Sequence, residues 1–384
     1  MKTAAVICEY NPFHNGHKYQ LEQTRAAGAT HIVAVMSGNF TQRGDVAIFD
    51  KYARARAALE NGADLVLELP TRFSLSAAEG FARGAVQIIE ALGCVDILSF
   101  GAECGDVAAL KEAAGASEYA LHTEEFQELM RKGNSFPAAL QEAVKAYYTD
   151  DVCEVLSSPN NTLAVEYIKA LDDIGSMIQP YAVQRSGAAH DSEDEDKGYV
   201  SASLIRKKIA AGEDWSELAP MINEPAADIK RLERAILAKL RTMRSAEFEN
   251  IYDAAQGLGE RLYKAVRKAA TLEELYFLTK TKRYTLARIR RAVLCAFLDI
   301  DKRTLNEPPA YIRILGMNSR GREILGAAQC GLPIDTSLKA LMKQSRDAHR
   351  QGAAEERFGD VYSLAFEKPR QCGYEFTAKP VILD

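Results

Sequence analysis

The chain has 384 residues, of which 47% are hydrophobic and 26% are charged, and its formal net charge is -5 at pH 7. This length allows two or three domains with cores of their own, and the composition is that of an ordinary globular protein. Because no signal peptide precedes the first predicted strand and no apolar run approaches the ~18 residues of a membrane span, we expect a cytoplasmic protein without a membrane partner. The seven cysteines form no CxxC pair, which argues against a zinc knuckle.

Short β-rich runs alternate with helical patterns through the first half of the chain. Four runs predict strands, TAAVICE, HIVAVMS, DLVLELP and VDILSFG, and a fifth strand is expected near residues 178–183. The helical patterns between them each end close to a glycine, as helix C-termini prefer. Continuously apolar strands that alternate with helices are typical of a parallel sheet covered on both faces. We therefore predict a doubly wound, Rossmann-like α/β domain over residues 1–212.

Helical patterns dominate from about Trp215 onward, which predicts a mainly α-helical second domain over residues 213–384. Ten basic residues lie between positions 261 and 291, against two glutamates and with three tyrosines interleaved. Such a surface fits the phosphate backbone of a folded RNA, although a charge run is more often only a solvated face. The opposite charge is concentrated in DSEDED, residues 191–196, which predicts a solvated acidic loop.

The first predicted strand leads directly into EYNPFHNGH, where His14 and His17 are three positions apart. A helix that begins at about His14 places both rings on one face, and Pro12 suits the turn before it. Gly16 lacks a side chain that would obstruct a ligand, and a helix N-terminus offers free N–H groups with a partial positive charge. The stretch therefore predicts a triphosphate cradle in which two imidazoles stabilise charge developing on the α-phosphate.

Two other interpretations of these histidines stay open. The first is a metal site, which would take its third ligand from Cys8 or Glu9. Because the HExxH spacing of a helical zinc pair is absent, we predict no metal site. Alternatively, the histidines are structural and bind no ligand. A P-loop is excluded as the nucleotide site because no GxxxxGK[ST] sequence occurs.

A second candidate for phosphate contact is YVSASLIRKKI, residues 199–209. Ser201 and Ser203 precede an apolar helical pattern and are predicted N-caps, while Arg206 is predicted in the first turn. The helix dipole disfavours a cation there, so a bound anion would explain the arginine. The alternative is a capped surface helix without a ligand.

Five longer stretches carry a family resemblance: EYNPFHNGH, VMSGNFTQRGD, GADLVLELP, SPNNTLAVEYIKAL and KTKRYTLARIRR. From residue 4 to about residue 325, the chain resembles the bacterial tRNA(Met) cytidine acetate ligases of the HxGH nucleotidyltransferase superfamily. The resemblance implies a nucleotidyltransferase domain that uses ATP, with Mg2+ bound to its phosphates, to activate acetate as acetyl-adenylate. The acetyl group would then pass to the wobble cytidine of elongator tRNA(Met), giving N(4)-acetylcytidine. The alternatives are an HxGH adenylyltransferase for a small phosphorylated metabolite and a non-catalytic RNA-binding protein.

The resemblance also implies which residues form the site. The catalytic candidates are His14, His17, Ser203 and Arg206. From its position after the second predicted strand, the loop SGNFTQRGD, which includes Arg43, suits recognition of acetate or cytidine; the alternative is an ordinary polar loop. The candidates for tRNA binding, Lys282, Arg283, Arg288 and Arg291, come from the basic run, because the resemblance does not indicate which of its side chains touch RNA. The expected ATP-binding residues are Ile7, Cys8, Glu9, Tyr10, Asn11, Pro12, Phe13, His14, Asn15, Gly16, His17, Lys18, Tyr19, Gln20, Gly101, Asn160, Asn161 and Arg185.

Overall fold

A computed structural model describes residues 1–185, 201–221 and 224–384, and the predicted acidic loop at residues 191–196 lies outside these ranges. The strands are β1 (Thr3–Cys8), β2 (His31–Ser37), β3 (Phe40–Thr41), β4 (Asp45–Val46), β5 (Leu65–Leu69), β6 (Ile97–Ala102), β7 (Gln179–Gln184), β8 (Ile312–Met317), β9 (Ile334–Asp335) and β10 (Val381–Ile382). The α-helices are α1 (Asn15–Ala26), α2 (Lys51–Glu60), α3 (Thr71–Ser74), α4 (Ala78–Leu92), α5 (Val107–Leu121), α6 (Glu124–Arg131), α7 (Phe136–Lys145), α8 (Asp150–Ser157), α9 (Pro159–Asp173), α10 (Ala202–Ala211), α11 (Glu233–Thr242), α12 (Ser245–Glu249), α13 (Leu258–Val266), α14 (Leu272–Thr279), α15 (Leu286–Leu298), α16 (Lys302–Asn306), α17 (Ser319–Ala327), α18 (Leu338–Leu341), α19 (Arg346–Ser363) and α20 (Tyr374–Thr377).

One sheet organises the described part of the chain, with strand order β10-β8-β5-β2-β1-β6-β7 and with β9 paired to β8. The five strands predicted from the sequence are all present, and every residue of β2 and β5 is buried. β1 lies between β2 and β6 and is parallel to both. The carboxyl ends of β1, β2, β5, β6 and β7 therefore meet at one edge of the sheet. This arrangement confirms the predicted α/β fold, which continues into a mainly helical part.

The sheet also contains strands from the C-terminal half, which the sequence analysis did not anticipate. β8 pairs antiparallel with β5, and the two-residue β10 pairs with β8, so the sheet is mixed rather than wholly parallel. A two-residue strand is too short to show any periodicity, and β8 carries the buried Arg313 in the middle of an apolar run. Residues on both sides of position 212 therefore build the sheet, and the division into domains 1–212 and 213–384 stays a prediction.

A buried cluster of charged side chains joins these late strands to the first half. Lys51 Nζ lies 2.6 Å from Glu68 Oε1 and 2.7 Å from Glu375 Oε2. The Arg313 guanidinium lies 3.2 Å from Glu68 and 2.5 Å from Glu375, and it donates to the Tyr52 hydroxyl. Because each charge has an opposite partner, the cost of burying it is offset, but removal of one partner would leave an uncompensated charge.

The helices that follow position 229 pack around a second hydrophobic core, which includes Leu262, Ile289 and Phe358. Phe40 and Val46, on the β3–β4 hairpin, are buried in the same core. The hairpin follows β2 directly, so it connects the carboxyl edge of the sheet with the helical region. Among the described helices, none combines the length and the apolar character needed to cross a membrane.

Candidate active site

His14 and His17 form the start of α1 through reciprocal capping. His14 is the N-cap residue, and its Nδ1 accepts a hydrogen bond from the Gly16 backbone N–H at 3.0 Å. His17 Nδ1 accepts from the His14 backbone N–H at 3.2 Å, and the two rings are stacked with centroids 3.7 Å apart. The helix therefore begins one residue later than predicted and keeps both rings together. A capping role also means that the histidines are structural, whether or not they bind a ligand.

These hydrogen bonds determine the tautomers of the two rings. A ring nitrogen that accepts a backbone N–H carries no proton, so each neutral imidazole keeps its proton on Nε2. Burial, followed by the positive charges of Arg185 and Arg206, lowers the pKa of His14 to about 3. Burial, His14 and Arg185 lower the pKa of His17 well below its usual range. Both rings are therefore neutral at physiological pH and have an Nε2–H available for donation.

Much of the predicted ATP-binding stretch turns away from the edge of the sheet. Tyr10 and Phe13 are almost wholly buried, and Ile7 is nine-tenths buried. Tyr10 stacks edge-on against both Phe13 and His17, which supports the His17 ring from behind. The Cys8 thiol donates to the Val35 carbonyl at 3.7 Å. These side chains are therefore committed to packing that holds the loop in shape.

Other residues of the stretch link it to its neighbours. Asn11 Oδ1 accepts from the Ile48 N–H at 2.7 Å, next to the hairpin. Asn15 Nδ2 donates to the Glu217 carbonyl at 3.1 Å, and Gln20 Nε2 donates to the Ser99 carbonyl at 3.3 Å. Pro12 belongs to the cis Asn11–Pro12 peptide bond, and on α1 Lys18 is exposed and Tyr19 is half-buried.

The second phosphate-binding candidate differs in detail from its prediction. α10 begins at Ala202, and Ser201 caps it by accepting from the Leu204 N–H at 3.3 Å. Ser203 is therefore the second residue of the helix rather than an N-cap, and Arg206 is the fifth residue, just beyond the first turn. An apolar pattern does not identify which of two nearby serines adopts the cap conformation. Arg206 nevertheless reaches the site, because it donates to the Asn11 carbonyl at 2.7 Å.

Gly101 and Arg185 lie together on the other side of β1. Gly101 pairs with Val183 in β7, and a Cβ placed on Gly101 would come within 3.5 Å of Arg185 Cγ. Arg185 also lowers the pKa of His14, so its charge reaches the histidine pair. The sequence-predicted Gly101, Arg185, His14 and Arg206 are therefore brought to the same edge of the sheet.

The two asparagines of SPNN have different surroundings at the start of α9. Asn161 is 2% exposed, and its Oδ1 accepts from the backbone N–H groups of Glu103 and Cys104 at 2.8 and 3.2 Å. The Glu103 carboxylate in turn accepts from Asn160 Nδ2 at 2.6 Å and from the Asn161 N–H at 2.9 Å. Asn161 therefore positions the loop after Gly101, and Asn160 is the half-buried one of the pair.

Two further residues that the sequence analysis missed shape this edge. Glu103 caps α9, and its place two residues after the fourth predicted strand, at the edge where ligands bind, was a signal that could have identified it. The fully buried Arg54 donates to the carbonyls of Glu9, Ser37 and Gly38. It thereby joins the carboxyl ends of β1 and β2. No sequence signal distinguishes Arg54 from a solvent-facing arginine on an amphipathic helix.

The four candidates for tRNA binding are in unequal positions. Arg291 lies 2.7 Å from Asp253, and its guanidinium donates to the Gln42 carbonyl at 3.2 Å. Arg288 lies 3.2 Å from the same aspartate, and only 13% of its side chain is exposed. Arg283 donates to the Met130 carbonyl at 3.3 Å. Lys282 is exposed. Three of the four guanidinium or ammonium groups therefore bind the protein itself.

A metal-binding interpretation finds no matching geometry in residues 1–185, 201–221 and 224–384, which contain no group of three or more His, Cys, Asp or Glu side chains able to hold an ion. Cys8 bonds to β2, as described above. Glu9 Oε1 accepts from the Gln42 N–H at 2.6 Å.

Comparison with known proteins decides the family. A family model described as HIGH Nucleotidyl Transferase matches residues 1–375. The tRNA(Met) cytidine acetate ligase of Syntrophomonas wolfei is 36% identical over 418 residues, covering 99% of each chain. That of Caldanaerobacter subterraneus is 38% identical over 394 residues, covering 96% of each chain. The chain belongs to this ligase family of HIGH nucleotidyl transferases.

Solved structures agree with the family assignment over the whole chain. Thermotoga maritima TmcAL in its apo form I superposes with a TM-score of 0.91 at 31% identity, covering all of both chains. The same protein bound with alpha-thio ATP superposes with a TM-score of 0.89, again at 31% identity and full coverage. A ligase-family member of this fold thus holds an ATP analogue.

Proposed function

We propose that the protein uses ATP to activate acetate as acetyl-adenylate and then acetylates the wobble cytidine of elongator tRNA(Met). The observation that carries the proposal is the pair of neutral, stacked imidazoles at the start of α1, beside the charges of Arg185 and Arg206. Adenylate formation requires stabilisation of negative charge that develops on the α-phosphate. Two Nε2–H donors and two guanidinium groups supply it, without any histidine having to lose or gain a proton.

The nucleotide is proposed to occupy the β1–β6 side of the edge, between the histidine pair and Gly101. In open α/β sheets, ligands bind where the strand order reverses, and here β1 is followed by β2 on one side and by β6 on the other. Gly101 has no side chain at the point where the adenosine would approach, and Asn161 holds the loop that follows it. Mg2+ is proposed to arrive with the phosphates of ATP, because its octahedral shell usually includes substrate oxygens and water.

The tRNA is proposed to bind the basic helices α13 to α15. An open groove of roughly 370 Å³ is lined there by Arg261, Lys264 and Arg283 and by Glu260, which pairs with Lys264. Phe277, on α14, is 80% exposed, which suits stacking with an unpaired base. Because Arg288 and Arg291 are held by Asp253, the exposed lysines are better placed to contact phosphates. Lys282 is proposed as one of these contacts.

The function is tested by two measurements on the purified protein. The first is exchange of labelled pyrophosphate into ATP, and we expect it to depend on acetate. The second is mass spectrometry of elongator tRNA(Met), which should gain N(4)-acetylcytidine at the wobble position. Exchange that requires a phosphorylated metabolite instead of acetate would support the adenylyltransferase alternative. Binding of tRNA without any exchange would support a non-catalytic RNA-binding protein.

A further inference from the structure

Three buried polar atoms near the end of β2 have no hydrogen-bond partner: Ser37 Oγ, Asn39 Oδ1 and Gln42 Nε2. Ser37 is fully buried, and Asn39 is 6% exposed. In the part of the chain that the structure describes, nine side-chain atoms have this property, and three of them fall within six consecutive positions. Buried polar groups in native proteins are nearly always paired, so each exception requires an explanation. A ligand that supplies the missing partners is one.

These atoms belong to the same edge as the histidine pair. Gln42 donates its backbone N–H to the Glu9 carboxylate, and Arg54 binds the carbonyls of both Glu9 and Ser37. The candidates for the nucleotide, Gly101 and Arg185, lie beyond β1 on the β6 side. The unpaired atoms lie on the β2 side. A second substrate that approaches the α-phosphate from the opposite side to the adenosine would therefore meet them.

The hairpin that contains Gln42 is also in direct contact with the basic helices. Gly44 has a φ of +74°, and a Cβ placed on it would come within 2.5 Å of the Arg290 side chain and of the Arg291 backbone. Arg291 donates to the Gln42 carbonyl. The segment that carries the unpaired atoms therefore packs directly against α15, one of the helices proposed to bind the tRNA.

We propose that Asn39 Oδ1 and Gln42 Nε2 bind the Watson–Crick edge of the acceptor cytosine, and this subsite rests on the proposed function. The asparagine oxygen accepts from the N4 amine, and the glutamine amide donates to N3. Enzymes that modify a base read it through this edge once it has left its stack. Acetate offers only acceptors and would leave the Asn39 oxygen unpaired. Uracil has an oxygen where cytosine has its amine, so the same oxygen would face an acceptor.

The test uses Asn39→Leu and Gln42→Met, which remove the polar atoms at similar volume. The control is Gln87→Met on α4, because Gln87 Oε1 is also buried and unpaired but lies in a helix away from the edge. Binding of elongator tRNA(Met) transcripts with a wobble cytidine or uridine is compared. We expect the unmodified protein and the control to bind the cytidine transcript more tightly than the uridine transcript. In each of the two variants, the ratio of the two Kd values should be about tenfold smaller.

The two variants should also show an equal or higher melting temperature, because an unpaired buried group is replaced by an apolar one. An unchanged cytidine preference in both variants would overturn the subsite. A raised KM for acetate in the exchange reaction would also overturn it, because the hairpin would then bind acetate. A lower melting temperature in the variants would overturn it as well, because the two amides would then stabilise the fold. Absence of exchange in the unmodified protein would instead refute the proposed function, and the binding comparison can still be made.

Discussion

The His14 ring has two tasks that paired substitutions can separate. Its Nδ1 caps α1, and its Nε2–H is proposed to donate to the α-phosphate. Asparagine is among the best N-cap residues, so His14→Asn keeps an oxygen that accepts from Gly16 but removes the second donor. His14→Ala removes both.

The expected magnitudes differ for the two tasks. Loss of an N-cap costs about 1 kcal/mol of stability, so His14→Ala should be less stable than His14→Asn by about that amount. Loss of one donor to developing charge lowers the rate by about 10²- to 10³-fold in comparable sites, and both variants should show this loss.

Urea unfolding measures the first effect, and acetate-dependent pyrophosphate exchange at saturating ATP measures the second. If the exchange rate of His14→Asn stays within about threefold of that of the unmodified protein, the donor role is refuted. Such a change corresponds to less than the ~1.4 kcal/mol of a tenfold effect, far below the expected loss. If the asparagine variant unfolded as easily as the alanine variant, the capping interpretation would be wrong instead.

Three further predictions concern pH, the buried charges and the basic helices. The pKa of His14 falls from 6.5 to about 3 on folding, so between these pH values the unfolded chain binds a proton that the folded chain does not. The stability contributed by neutral His14 is therefore complete above pH 6.5 and is lost as the pH falls toward 3. The urea midpoint should decline from pH 7 to pH 5, and less steeply in His14→Asn. Arg313→Met leaves Glu68 and Glu375 with too little positive charge and should cost about 3–5 kcal/mol in urea unfolding, whereas a loss under 1 kcal/mol would contradict the importance of this cluster. Lys282→Ala should reduce the slope of log binding constant against log salt concentration for tRNA by about one, without changing the melting temperature. Arg291→Ala should instead lower the melting temperature. The reversed pattern would show that Arg291 faces the RNA.

Local signals in the sequence were sufficient for the first half of the sheet. HIVAVMS was predicted as a strand and forms β2 over the same residues, because a run of β-branched and apolar residues that is buried on both faces needs no information from distant segments. The start of α1 is similarly local. Its capping interactions join positions only two or three apart, so the sequence could indicate both the helix start and the shared face of the histidines.

Charged residues were assigned less well, because their role depends on what lies opposite. Arg288 and Arg291 belong to a basic run that resembles a solvated or RNA-binding surface, yet Asp253 binds both. Arg54 occupies an ordinary helical position in the sequence but is completely buried. The same side chain can cover a surface, bind a phosphate or hold a carbonyl, and only the surroundings distinguish these cases.

Sequence patterns were enough to predict the α/β class, the first five strands of the sheet, the histidine pair at the start of the first helix and the resemblance to the acetate ligases. These depend on local periodicity and on contiguous motifs. The sequence did not indicate that β8 and β10 pair into the sheet, that Arg54 and Asn161 support its edge, or that Asn39 Oδ1 and Gln42 Nε2 near the end of β2 are buried without partners. Each of these depends on contacts between residues tens to hundreds of positions apart, and such contacts form only when burial brings the segments together.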